Sequence, residues 1–325
     1  MAKKKIDSTP KKDTFSMKQL KKKFNITAAY LATDESLQKA FKEIISKGIT
    51  DPTRMQRIIE NTDWWKNYTN DYRQYMQVKQ TNPAEFAKNL NDAKNTLLSQ
   101  AQSMGIDIDD AEAERLADLM LQGASKKNAD GTFTFYDEKW LRQQFASMID
   151  FSQTKTIGGI TFTDYDGELA NLADSIYKTA AEYGINSVMN NQAFTNWMQA
   201  AMKGVVAGTM TQQDIDEAIR DMAISNFPGL ANQIMQGFTV RQAASSQLNA
   251  IANELELDPN TMSLNDNLVM QVLNGRDANG NMVPMTAFEA RKAARKDSRW
   301  QFTQNATTEY SSIAGKILED FGFGA

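Results

Sequence analysis

The sequence contains neither cysteine nor histidine, and these two absences exclude several kinds of chemistry. Without cysteine the chain has no disulfide, no thiolate metal site and no thiol redox centre. Without histidine it lacks the usual general base and transition-metal ligand near neutral pH. Any catalysis would therefore depend on carboxylates, Lys, Tyr, Ser or Thr.

Several sequence signatures are missing as well. No uninterrupted apolar run reaches the roughly 18 residues of a membrane span, and the N-terminus has no apolar segment of the kind found in signal peptides. No GxxxxGK[ST] phosphate loop occurs, and no GxGxxG follows a strand-like segment. We therefore expect no membrane span, no cofactor and no metal, and a protein that is not an enzyme.

The charge is distributed unevenly along the 325 residues. The first 23 residues contain nine lysines against two aspartates, a charge of +7, which leaves −11 for the rest because the whole chain carries −4. We interpret residues 1–33 as a disordered basic arm, which serves either as a solubilising tail or as a non-specific contact for nucleic acid or another polyanion. The lysines assigned to that contact are Lys3, Lys4, Lys5, Lys11, Lys12, Lys21, Lys22 and Lys23.

From Asp34 onward, apolar residues recur at helical spacing, as in Leu37, Phe41 and Ile44. Gly followed by Ser, Thr or Asp recurs in segments such as "KGITDPTR" and "AGTMTQQD", a pattern typical of one helix ending and the next beginning. The 41% hydrophobic content is enough to bury a core. The sequence predicts a mainly α fold, a multi-helix array of helical hairpins with at most a short two-stranded β-ribbon.

A weak internal repeat joins three segments, 101–123, 180–204 and 252–275. Each has an Ala-containing helix end, a Gly-Ile or Glu-Leu break, a second helix and a final Gly. The spacing from the break to that Gly varies, and the third copy has Glu256 where the others have Gly. This pattern indicates a recurring helical hairpin and not a regular solenoid.

Two segments alternate Thr with apolar residues, "GTFTFY" at 131–136 and "IGGITFT" at 157–163. This period of two predicts that they form the two strands of the ribbon. Glycines cluster between residues 152 and 167, where we place the division between an N-terminal helical domain, 34–155, and a C-terminal helical domain, 165–325.

Acidic clusters that could suggest metal sites match structural patterns better. The acids of 107–114 lie at the start of a predicted helix at 110–122 and would cap it. The segments 276–282 and 128–135 fail the spacing of a calcium loop and are typical of Asn/Asp-Gly turns. Glu35-Ser36, a dipeptide used by lytic transglycosylases, also lies at a helix start and fits a cap led by Thr33 or Asp34.

Tryptophan occurs in two similar turns, "ENTDWWKN" near the start and "RKDSRWQFTQNA" near the end. Each turn follows one predicted helix and opens another, with Asp63 or Asp297 as the expected N-cap. We expect Trp64, Trp65 and Trp300 to be structural, with at least one of the first two facing inward, because neighbours on a helix point about 100° apart.

Taken in order, six motifs carry a resemblance to a known group of proteins. They are "DESLQKAFKEIISKGITD", "ENTDWWKN" with "YRQYMQVKQTNPAEF", "AQSMGIDIDDAEAERLADLMLQG", "MAISNFPGLANQIMQGFTVRQAA", "ANELELDPNTMSLND" and "RKDSRWQFTQNA". The series resembles uncharacterised virion structural proteins, minor tail or internal virion proteins, of actinobacterial and environmental tailed phages. The resemblance extends from about Asp34 to Gly322 and departs at Ser245-Ser246, where an aromatic residue is expected.

The resemblance implies a non-catalytic component of a tailed-phage particle, assembled in the bacterial host cytoplasm in several copies beside other virion proteins. It brings no catalytic residue with it. Two alternatives remain: a DNA-contacting protein that is packaged and ejected with the genome, for which the basic arm would be the contact, and a peptidoglycan-directed module.

Overall fold

The computed structural model describes residues 34–157, 160–185 and 192–320. These residues contain sixteen α-helices and one two-stranded antiparallel sheet, so the prediction of a mainly α fold is confirmed. One compact unit ends at Met148, and a second begins at Ile149. The β-hairpin belongs to the second unit.

Among its described residues, 34–148, the first unit contains seven helices. They are α1 Glu35–Ser46, α2 Pro52–Glu60, α3 Asp63–Asn67, α4 Asn70–Thr81, α5 Pro83–Met104, α6 Asp110–Gln122 and α7 Glu138–Met148.

Helices α1 to α3 enclose a small apolar cluster. The side chains that α1 buries recur every three or four residues, at Leu37, Phe41, Ile44 and Ile45, and Trp64 of α3 completes the cluster. Helices α4, α5 and α6 pack on one another beside it. Small buried alanines on α5 and α6 let these two backbones approach closely, which is typical of tightly packed helix pairs.

In the part of the second unit that the structure describes, there are the hairpin and nine helices. They are β1 Thr154–Ile157, β2 Ile160–Thr163, α8 Gly167–Glu182, α9 Gln192–Ala207, α10 Gln212–Asn226, α11 Ala231–Met235, α12 Val240–Ala243, α13 Ser245–Leu255, α14 Asn267–Leu273, α15 Ala287–Ala294 and α16 Gln304–Asp320, with 3₁₀ turns at Pro228–Leu230 and Trp300–Phe302.

A two-stranded ribbon forms as predicted, but segment 131–136 is not one of its strands. Strands β1 and β2 pair from Thr154 with Thr163 to Ile157 with Ile160, and two glycines separate them in the sequence. A two-residue Gly-Gly connection favours pairing between the segments that flank it. The pairing of 131–136 with 157–163 was therefore wrong. Segment 131–136 instead follows a turn and makes a single bridge from Phe135 to Ala124.

The internal repeat corresponds to three equivalent helix ends. The amide of Ile106, Ile185 and Leu257 donates to the carbonyl of a buried alanine five residues earlier, at N···O distances of 2.8, 2.8 and 2.9 Å. This is the long hydrogen bond of a Schellman cap. The residue before each amide has a positive φ, 80° at Gly105, 73° at Gly184 and 54° at Glu256.

The second half of the repeat is not maintained. Gly123 ends α6 with φ 71°, whereas Gly204 lies inside α9, which continues to Ala207. The common element is therefore the helix break and not a complete hairpin.

Candidate functional site

The lysines of the basic arm, Lys3 to Lys23, lie outside the described residues. Their contact with a polyanion stays a prediction from the charge pattern. In the part of the chain that the structure describes, the features to test are the two tryptophan turns, the charged groups around the last helix and one apolar cleft.

The first tryptophan turn is a tightly bonded helix start. The N-cap of α3 is Thr62, whose hydroxyl accepts from the amide of Trp65 at 3.1 Å. Asp63, the expected cap, is the first helical residue. Thr62, one residue before Asp63, is the N-cap because its backbone is extended (φ −71°, ψ 153°). This conformation directs its side-chain oxygen toward the free amides of the first helical turn.

The two adjacent tryptophans have different environments. Trp64 is buried, 6% exposed, among the apolar side chains of α1, which confirms that at least one of the pair faces inward. Trp65 is half-buried, and the Arg73 guanidinium lies over its ring at 3.9 Å from the centroid. Arg73 also donates to the carbonyls of Trp65 and Tyr68. Arg73 of α4 thus links the turn to that helix.

Glu35, at the start of α1, does not have the environment of a glycosidase acid. Its carboxylate is exposed and bonds the Lys39 ammonium at 2.9 Å, and this hydrogen bond holds the pKa of Glu35 below its ordinary value. A general acid for glycoside hydrolysis needs a raised pKa. The adjoining cap is Asp34, which accepts from the amides of Ser36 and Leu37.

The second tryptophan turn is also structural, but it is built differently from the expectation. Trp300 is buried, 8% exposed, and its ring meets Tyr310 edge-on at 5.7 Å. It opens a 3₁₀ turn, and α16 begins only at Gln304. Asp297 does not cap an α-helix, because its carboxylate accepts from the amide and the guanidinium of Arg299.

Arg299 connects this turn to a distant helix start. Its guanidinium bonds the Asp266 carboxylate at 2.6 and 3.1 Å, and Asp266 is the N-cap of α14. The hydrogen bonds from Arg299 lower the pKa of Asp266 and of Asp297. Both carboxylates therefore bond the guanidinium of Arg299 and also accept from helix or turn amides. These bonds hold the backbone segments around Asp266 and Arg299 together.

Glu256 binds the N-terminus of α16. In the sequence this residue stands out only as a departure from the repeat. Its carboxylate oxygens accept from the amides of Gln304 and Asn305 at 2.9 and 2.8 Å. A carboxylate at this position satisfies free amides and complements the helix dipole. The clue in the sequence was a Glu at the third helix break, where the other copies have Gly.

One cleft of about 450 Å³ lies among α5, α6 and α7. Its walls are mainly apolar, and its charged residues, Glu138 and Arg142, bond each other at 3.0 Å one helical turn apart. The cleft therefore contains no arrangement of nucleophile, base and stabilising donor of the kind that covalent catalysis needs.

The acidic clusters behave as expected from their sequence patterns. Asp109 caps α6 through the amide of Glu112 at 2.7 Å, and Asp277 closes a turn by accepting from the amides of Asn279 and Asn281. Across the described residues, no group of three or more acidic side chains is placed to hold a metal ion. None of the helices there is long and apolar enough to cross a membrane.

The chain matches no protein-family model, no curated protein and no solved structure. The structure brings Trp64 and Trp65 into one turn with Arg73, and Trp300 into another with Arg299. Arg73 donates to two backbone carbonyls in the first turn, and Arg299 bonds the carboxylates of Asp266 and Asp297.

Proposed function

We propose that the chain is a non-catalytic structural component of a tailed-phage particle, a minor tail protein or an internal virion protein. It assembles in the bacterial cytoplasm with other virion proteins and is present in several copies. The observation that carries the proposal is the ordered series of six motifs by which the sequence resembles such proteins. Helix breaks or corners described above lie in four of these motifs: the two tryptophan turns and the breaks at Gly105 and Glu256.

The titratable groups support a structural role. Among the described residues, each Asp or Glu with a shifted pKa is shifted downward, and in each the largest cause is a hydrogen bond from a neighbouring residue. These are Glu35, Glu112, Asp130, Asp150, Asp214, Asp266, Asp277, Glu289 and Asp297. Catalytic sites typically contain a carboxyl group whose pKa is raised to fit its task. This pattern disfavours the peptidoglycan-directed alternative.

The second candidate function is a DNA-contacting protein ejected with the genome, and the +7 charge of the first 23 residues favours it. The two are separated by quantifying the protein in purified particles before and after triggered genome release. A structural component stays with the emptied particle at unchanged copy number, whereas an ejected protein leaves with the DNA. Absence from both kinds of particle would overturn the proposal.

A further inference from the structure

Helix α16 packs on the second unit along its first two turns and is exposed beyond them. Between Gln304 and Ile317, Ala306 is the one buried residue, and every residue from Ser311 to Ile317 is exposed. Most of the stability of a helix in a protein comes from tertiary packing and not from intrinsic propensity. The contacts of the first two turns therefore determine whether α16 stays docked and folded.

Polar contacts hold the first turn of α16. Glu256, at the end of α13, accepts from the amides of Gln304 and Asn305 at 2.9 and 2.8 Å. The Asn305 side chain donates to the carbonyl of Asn253 at 2.8 Å. Glu256 is exposed, so water competes for its bonds. Loss of this one carboxylate would leave the two amides without the acceptor that joins them to α13.

The second turn makes one ion pair and one aromatic contact. Arg295 bonds Glu309 of α16 at 3.3 Å and Glu254 of α13 at 3.0 Å. The side chains of Arg295 and Glu309 are 49% and 41% exposed, and ion pairs this exposed contribute little to stability. The ring of Tyr310 meets buried Trp300 edge-on. Helix α16 is thus docked by a small set of contacts, most of them polar and open to solvent.

We propose that α16 is a detachable cover, which undocks and unfolds as one segment while α13 and α15, the helices that it contacts, stay folded. The contacts of Glu256, Arg295 and Tyr310 break together in this step, because they join α16 to one small site. Opening uncovers the side of Trp300 on which Tyr310 packs. Elements with few buried apolar contacts open locally in this way, at a free energy below that of global unfolding. The inference does not depend on the location of the protein in a phage particle.

Native-state hydrogen exchange of the full-length chain tests the proposal. We expect the amides of residues 308–317 to share one opening free energy, clearly below that of the slowest amides of α13. Glu256→Ala removes the acceptor at the start of α16 and should speed this exchange about 5- to 30-fold, the effect of losing a helix N-cap. Arg295→Gln removes a half-exposed ion pair and should speed it only a few-fold. Circular dichroism checks that the variants remain folded.

Asp214→Ala is the matched control. The Asp214 carboxylate accepts from the amide of Thr211 at the start of α10, at 2.7 Å, so this variant also removes a carboxylate from a helix start, but at a place that local opening of α16 leaves intact. It should speed exchange of the slowest α13 amides, which need unfolding of the unit, and leave α16 unchanged.

Any of four results would overturn the proposal. They are α16 amides that exchange as slowly as those of α13, protection that declines residue by residue with no shared value, faster α16 exchange in Asp214→Ala, and unchanged α16 exchange in Glu256→Ala.

Discussion

Trp64→Ala should strongly destabilise the first unit, because Trp64 connects the turn of α3 to the buried face of α1. The indole is 6% exposed and packs on the cluster that contains Leu37, Phe41 and Ile44. Truncation of a buried tryptophan to alanine costs about 3 to 5 kcal/mol, as lost transfer free energy and a residual cavity. For a unit of this size that corresponds to a fall in Tm of roughly 10 °C or more.

Two other substitutions calibrate this value. Trp65→Ala removes a half-buried ring and the cation–π contact with Arg73, which contributes about 0.5 to 1 kcal/mol at a partly exposed site, so its total cost should be less than half that of Trp64→Ala. Phe302→Ala removes an aromatic ring that is 84% exposed and should change stability by no more than about 0.5 kcal/mol.

The assay is differential scanning calorimetry of the three variants, with glycan binding measured on the same preparations. Removal of a ligand-stacking tryptophan would abolish glycan binding with little change in Tm. Removal of a packing tryptophan would lower Tm and leave glycan binding unchanged. Unchanged melting of Trp64→Ala together with lost glycan binding would refute the structural interpretation and favour a cell-wall function.

Three further predictions concern charged groups. Glu256→Ala should lower the free energy of unfolding by about 1 to 2 kcal/mol, because the first amides of α16 lose their acceptor. Glu256→Gly should lower it by less, because glycine tolerates the positive φ at this position. Equal losses of unfolding free energy in urea titrations of the two variants would contradict this prediction. Since the folded-state pKa values of Asp266 and Asp297 are lowered, the Arg299 network stabilises the fold fully above the unfolded pKa of about 3.9 and loses that contribution as the pH falls through the lowered values. Arg299→Gln should therefore cost about 1 kcal/mol at pH 7 and flatten the acid limb of a stability–pH curve, and an unchanged limb would argue against the network. Deletion of residues 1–23 should leave Tm nearly unchanged and abolish DNA retention at about 50 mM salt, with a log–log salt slope of about −0.9 per phosphate neutralised; retention by the deletion variant would show that the arm is not the contact.

The helix starts and ends were the most predictable part of this fold. Their signals are local: Asp109 lies within three residues of the amide that it caps, and Gly105 supplies the positive φ that its helix end requires. The apolar spacing of α1 likewise identified the face that it buries.

The errors arose where two local signals competed. Thr62 and Asp63 are both good cap residues, and the extended backbone at Thr62 decided between them. Segment 131–136 alternates like a strand, but it follows an Asp130-Gly131 turn in which the carboxylate accepts from the amide and hydroxyl of Thr132. The Gly-Gly connection gave 154–157 the nearer partner.

Contacts between distant residues could not be read from the sequence. Arg299 meets Asp266, 33 positions earlier, and Glu256 meets the start of α16, about 48 positions later. No periodicity encodes such pairs, because they depend on how whole helices are placed.

The proposal that the protein is a structural part of a phage particle is tested by quantitative mass spectrometry of gradient-purified particles. The chain should co-sediment with infectious particles at a fixed copy number of several per particle, unchanged by high-salt washing. Recovery of the chain only in the soluble fraction of the lysate, with none in the particles, would contradict the proposed function.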